Sequence, residues 1–185
     1  MHMGSWWQVI EMESLGLMHV YTGNGKGKSS AAFGLALRAW GHGLKVCIIQ
    51  FIKSTEYSGE FKATSSMEGI SIQQFGTGRF FGKKGPSQED IALAHEGLEV
   101  ARKALLGGDY QLVILDELNV AIDLGLLGVD EALKAISSRN ENVEVVVTGR
   151  NANKQMMDMA DYVTELVARK HPFDRGIPAR KGVEF

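Results

Sequence analysis

At 185 residues the chain is long enough for one domain with a real core, and its 44% hydrophobic and 23% charged composition is that of a soluble globular protein. No apolar run approaches the roughly 18 residues of a membrane span, and a net charge of −2, with basic residues scattered apart from one loop and the tail, argues against a broad nucleic-acid surface. Neither a membrane nor nucleic acid is an expected partner; small anions are, in a protein expected to be cytoplasmic.

The N-terminal stretch MHMGSWWQVIEMESLG lacks a basic region followed by a long apolar core and a small-residue cleavage site, so it is not read as a signal peptide. Residues 1–16 are taken as an extension or arm ahead of one domain spanning 17–185. Trp6 and Trp7 leave two readings open: a remnant of a vector or upstream start, or an arm that folds over something.

From Leu17 the run LMHVYT predicts a strand. It leads into TGNGKGKSS, Thr22 to Ser30, and then into SSAAFGLALRAWG, where Ala32, Leu35, Ala36 and Ala39 fall at helical spacing. Strand, glycine loop and helix in that order are the context of a phosphate-binding loop. The usual pattern is G-x-x-x-x-G-K-[ST], yet counting back from Gly27-Lys28-Ser29 puts Thr22 where the first glycine belongs. The nearest glycine, Gly23, comes one residue late. Gly23, Gly25 and Gly27 permit conformations and close approach that side chains would block, while successive amides and the helix N-terminus face an anion. In such a loop Lys28 lies along the phosphates and the Ser29 hydroxyl ligates Mg²⁺. Lys26 either touches phosphate or is solvated.

KVCIIQFI, Lys45 to Ile52, is continuously apolar and β-branched, as a strand buried on both faces of a parallel sheet should be. It contains the chain's only cysteine, Cys47, which excludes an intrachain disulfide and predicts a packing role. ISIQQFG is a shorter strand candidate. FGTGRFFGKKGPS, Phe75 to Ser87, has no period, and Phe80 and Phe81 within it either plug the end of the sheet or meet a large apolar ligand. Ser87 with Asp90 resembles a capping box that starts a helix running to Leu106 and stopped by Gly107-Gly108.

QLVILDE, Gln111 to Glu117, is the next buried strand. VDEALKAISSR predicts a helix, VEVVVTG a strand, NKQMMDMAD a short helix and YVTELV a last strand. The alternation specifies a doubly wound α/β domain with a mostly parallel sheet of P-loop NTPase type, whose ligands sit outside the carboxyl ends of the strands. Asp116 and Glu117 end one such strand. They either complete an Mg²⁺ site, which needs only one or two carboxylates beside substrate phosphates, or cap the next helix. Glu117 would polarise water in an ATPase and hold metal in a transferase. Arg150, in Thr148-Gly149-Arg150, returns to the same edge as a phosphate clamp or an ordinary surface arginine.

Taken together, GNGKGKSS with AAFGLALRAWGHG, VCIIQFIK, the TG pair followed by aromatics, LVILDEL, VVVTGR and the late ARKHPFDRG resemble the P-loop ATP:corrinoid adenosyltransferases of vitamin B12 assembly and salvage. The likeness runs in order from Gly16 to the C-terminus, and that family's loop has the same shifted glycine pattern. It implies a transferase that moves the 5′-deoxyadenosyl group of ATP to Co(I) of cob(I)alamin or cob(I)yrinic acid a,c-diamide and expels triphosphate.

Carried over by position, Gly23, Asn24, Gly25, Lys26, Gly27, Lys28, Ser29, Ser30 and Arg150 would bind ATP, with Lys28, Glu117 and Arg150 serving catalysis. Ser29 and Glu117 would hold Mg²⁺, with Asp116 in the metal shell. Phe80 and Phe81 would press on the corrinoid and exclude its lower ligand, although Arg79 stands where an aromatic often occurs. The resemblance further implies a homodimer, an N-terminal arm closing over a site, and a flavoprotein reductase as electron source. A small ATPase or kinase and an ATP-responsive regulatory module are the competing readings; each explains the loop and Asp116-Glu117 alone.

Overall fold

The computed structural model describes residues 15–54, 58–79 and 85–184. β1 (Met18–Thr22) leads through the glycine loop into α1 (Lys28–Gly41), followed by β2 (Val46–Phe51), α2 (Gly59–Thr64) and β3 (Ile70–Phe75). After α3 (Gln88–Gly107) come β4 (Leu112–Asp116), α4 (Leu118–Asp123) and α5 (Val129–Ser137). β5 (Glu144–Thr148), α6 (Lys154–Met159), β6 (Tyr162–Glu165) and a 3₁₀ turn at Pro172–Arg175 complete the described elements. The strands form one six-stranded sheet, parallel throughout, in the order β3-β2-β4-β5-β1-β6.

β2 shows why its sequence is apolar without a break. Val46 and Ile48 pack under Ala32, Ala36 and Ala39 of α1, while Cys47, Ile49 and Phe51 face the other layer, where Ala94, Leu98, Ala101 and Leu105 of α3 cover them. Both faces of the strand are core, so both sets of alternating positions must be hydrophobic. Cys47 has the expected packing role: burial pushes its thiol up to about 12, which leaves it an inert thiol.

α3 carries the expected capping box. Ser87 Oγ accepts from the Asp90 amide, and the Asp90 carboxylate accepts from the Ser87 amide at 2.8 Å. The helix ends at Gly107, with Gly108 at φ 71 as its left-handed cap. α2 and α4 are elements to which sequence periodicity assigns nothing. Each is six residues long, too short to display a helical stripe.

Parallel order brings the carboxyl ends of the strands to one edge, and the register sets Gln50 beside Asp116 and Tyr21 beside Thr148 there. The polar residues Gln50, Asp116 and Thr148 are buried at that edge. Among the described residues no helix is long and apolar enough to cross a membrane. Residues 1–14, with Trp6 and Trp7, and residues 80–84, with Phe80 and Phe81, lie outside the described residues.

Candidate active site

The glycine loop turns directly off β1, with Gly23 at φ 91 and Gly27 at φ 115, the latter in the N-cap position of α1. No side chain caps the helix and no acidic residue occupies its first turn, so the amides at its start remain available to an anion. Lys28 folds back along the loop, and its ammonium donates to the carbonyls of Gly23 at 2.7 Å and Gly25 at 2.8 Å. Burial lowers its proton affinity and Arg150 adds to the effect; Glu117 and Asp116 oppose it without reversing it.

The glycine that sets this loop apart has a structural reason. The Gly25 amide donates to the Leu166 carbonyl at 2.6 Å, and a Cβ at residue 25 would come within 2.8 Å of the Leu166 carbonyl carbon. Asn24 Oδ1 accepts from the Ala168 amide at 3.1 Å. Lys26 reaches further along the tail, donating to the Val183 carbonyl at 2.9 Å and pairing with Glu184 at 3.0 Å. The loop is laced to the chain that follows β6. Lys26 is neither simply solvated nor a lone cation; its partner is the tail.

β4 ends in the acidic pair, and the two carboxylates part company. Asp116 is 0% exposed. Its Oδ1 accepts from the Thr148 hydroxyl at 2.7 Å, and its Oδ2 accepts from Gln50 at 2.8 Å and from the Lys53 ammonium at 2.7 Å. Burial acts to raise its proton affinity, but Lys53 and these hydrogen bonds outweigh burial and hold the carboxyl below its ordinary value. Glu117 adopts φ 62, and its amide donates to Thr148 Oγ1 at 3.0 Å. Its carboxyl is raised, first by burial and then by the Asp116 charge.

A cavity of about 610 Å³ opens at this edge. Gly25, Lys26, Gly27, Lys28, Ser29 and Ser30 line one side; Glu117, Arg150, Lys53 and Glu60 line it from the ends of β4, β5 and β2 and the start of α2. His171, Gly59 and the tail Gly182-Val183-Glu184 complete its lining. The sequence-predicted residues Lys26, Lys28, Ser29, Ser30, Glu117 and Arg150 therefore meet in one place. Gly23 and Asn24 line a separate depression beside Asn151 and Glu165, and Asp116 lies beneath the cavity instead of in its wall. Sequence reasoning passes over Lys53, Glu60, His171 and the tail as site residues; Lys53 does end the quoted run VCIIQFIK, and its position at a strand's carboxyl end is the signal that could have found it.

Outside the lining of this cavity, Asp90 holds the residues that flank the irregular segment. Thr77 Oγ1 donates to Asp90 Oδ1 at 2.7 Å and Ser87 Oγ to Asp90 Oδ2 at 2.6 Å, so one carboxylate ties both ends of the segment that carries Phe80 and Phe81. Arg79 is exposed and pairs with Glu89 at 3.6 Å.

A parallel sheet with a glycine loop, an uncapped helix start, a lysine and a strand-end acidic residue around one cavity defines a P-loop nucleotide-binding α/β protein. The family model of the ATP:corrinoid adenosyltransferases BtuR/CobO/CobP matches residues 14–185, and the chain belongs to that family. It is 46% identical over 171 residues to a corrinoid adenosyltransferase of Pseudomonas aeruginosa, covering 92% of this chain and 84% of that one. A corrinoid adenosyltransferase of Escherichia coli is 37% identical over 170 residues, covering 92% of this chain and 86% of its own. One from Salmonella typhimurium is 36% identical over 173 residues, covering 94% and 87%.

Proposed function

We propose that this protein transfers the 5′-deoxyadenosyl group of ATP to Co(I) of a corrinoid, cob(I)alamin or cob(I)yrinic acid a,c-diamide, and releases triphosphate. The cobalt electron pair forms the Co–C5′ bond, the C5′–O bond breaks, and its electron pair leaves on the triphosphate oxygen. Co(I) is itself the nucleophile, so the protein has no proton to abstract. Its work is to position ATP and to stabilise charge on the leaving group.

The observation that carries this reading is the meeting of Lys28, Ser29, Ser30, Glu117 and Arg150 on one cavity in a chain of this family. Lys28, the amides at the start of α1 and Arg150 bind the triphosphate. Among the described residues no cluster of three or more His, Cys, Asp or Glu could hold a metal alone. Ser29 and Glu117 both line the cavity, and a hydroxyl with a carboxylate fits Mg²⁺, which needs few protein oxygens when phosphates and water supply the rest. Mg²⁺ held there would add positive charge to the phosphate oxygens. Asp116 supports this shell indirectly, because its partner Thr148 also receives the Glu117 amide.

On the corrinoid side, Phe80 and Phe81 exclude the lower axial ligand so that Co(II) is reduced more easily. A flavoprotein reductase in the cytoplasm supplies the electron, and the working unit is a homodimer. Incubation with ATP, Mg²⁺ and chemically reduced cob(I)alamin should yield adenosylcobalamin and triphosphate in equal amounts. ADP with orthophosphate, and no change in the cobalamin spectrum, would instead support a hydrolase in which Glu117 acts as a base.

A further inference from the structure

Ile52 is a β-branched residue held at φ 69, directly after β2. Its amide still donates to the Phe75 carbonyl at 2.8 Å, completing the ladder with β3. One residue later the Lys53 amide turns back to the Phe51 carbonyl at 2.7 Å, closing a γ-turn around Ile52. Left-handed backbone is costly for a β-branched side chain and persists only where surrounding structure enforces it. The chain is closely packed around the turn: Gly76 lies so near the Ile52 carbonyl that a Cβ would overlap it, and a Cβ at Gly78 would overlap Ser54 Oγ.

The turn sends Lys53 off the sheet and into the wall of the cavity that Lys28, Glu117 and Arg150 also line. The side chain is 32% exposed, while its partner Asp116 is fully buried. An ammonium has three N–H donors. Among the described residues one goes to Asp116, which Thr148 and Gln50 already serve. Lys28, by contrast, spends two of its donors on its own loop.

We infer that Lys53 is a further substrate-binding cation, aimed by the strained turn at Ile52 to contact the triphosphate of ATP, with Asp116 as the tether that holds it in position. The inference rests on the cavity being the triphosphate site.

Calorimetry with inorganic triphosphate and Mg²⁺ tests this apart from turnover. Losing one charge-assisted contact should weaken binding to Lys53→Met by on the order of 10- to 100-fold, with Lys53→Arg retaining most of the affinity. The double variant Lys53→Met/Asp116→Asn leaves no unpaired buried charge and guards against a folding artefact. It should bind at least as weakly as Lys53→Met, since Asp116 also supports the proposed metal shell. Wild-type affinity in the double variant would mean that Lys53 merely neutralises Asp116, and wild-type affinity in Lys53→Met would overturn the inference alone. No binding of triphosphate to the wild-type protein would overturn the cavity reading as well.

Discussion

The Gly25 amide and the Leu166 carbonyl, 2.6 Å apart, join the phosphate loop to the chain leaving β6. A cradle fixed from outside in this way need not be reorganised when an anion arrives, which is the condition for electrostatic stabilisation of a leaving group. Gly25→Ala should break that join, because its methyl would meet the Leu166 and Val167 backbone at 2.8 and 2.9 Å. A loss of about 1–3 kcal/mol in stability is expected together with weaker ATP binding. Gly34→Ala supplies the contrast. Gly34 lies in α1 with nothing within 4 Å of a Cβ, so alanine should stabilise by about 1 kcal/mol and leave ATP affinity unchanged. Thermal melts and calorimetry on the two variants read both effects.

With Lys28 as the proposed phosphate ligand, Lys28→Ala should lower turnover on the order of 10²- to 10³-fold. Glu117→Gln weakens the proposed metal shell and should raise the Mg²⁺ needed for half-maximal rate. Initial rates at limiting ATP and limiting Mg²⁺ check both; wild-type rates in both variants would remove Lys28 and Glu117 from the site.

What was legible in the sequence is what local chemistry writes there. The unbroken apolar run of β2, the Ser87–Asp90 cap and the Gly27-Lys28-Ser29 loop ending are each specified by neighbours in the chain. Glu117 and Lys53 show the limit. Both follow strand ends, but the parting of Asp116 from Glu117 depends on sheet register, which sets Gln50 beside Asp116, and on the Thr148 hydroxyl from β5. Lys26 and Asn24 were legible as loop residues; their tail partners, more than a hundred residues away, were not.

Glu144 offers a pH dependence away from the site. Its Oε1 meets His19 Nε2 at 2.7 Å, and its Oε2 accepts from the Gly16 and Leu17 amides, each at 2.8 Å. Burial raises its proton affinity, but His19 and the two amides outweigh burial, and the carboxyl lies below the ordinary 4.5. A lowered carboxyl stabilises the fold above that value and loses its contribution as pH falls through the folded-state value. Glu144→Gln should therefore be less stable than wild type by about 1–3 kcal/mol near neutrality, the gap closing in acid. Denaturant melts across that range would show a pH-independent gap if the carboxylate charge were irrelevant.

Phe81→Ala separates reduction from alkyl transfer. If the aromatic keeps the lower ligand off cobalt, the variant should lose most of its activity from Co(II) with a weak reductant, since ligation lowers the reduction potential. From chemically prepared Co(I) it should keep much of its rate. Equal losses in the two assays would assign Phe81 to the shape of the corrin pocket or to the fold.

Adenosyl transfer to cobalt requires that the C5′–O bond of ATP break. ATP carrying heavy oxygen in the bridge between C5′ and the α-phosphorus tests it directly, with reduced cob(I)alamin as acceptor and mass analysis of the phosphate products. Attack of Co(I) at C5′ predicts the whole label in triphosphate, formed in step with adenosylcobalamin. Label retained in ADP, with unlabelled orthophosphate as the other product, would contradict it.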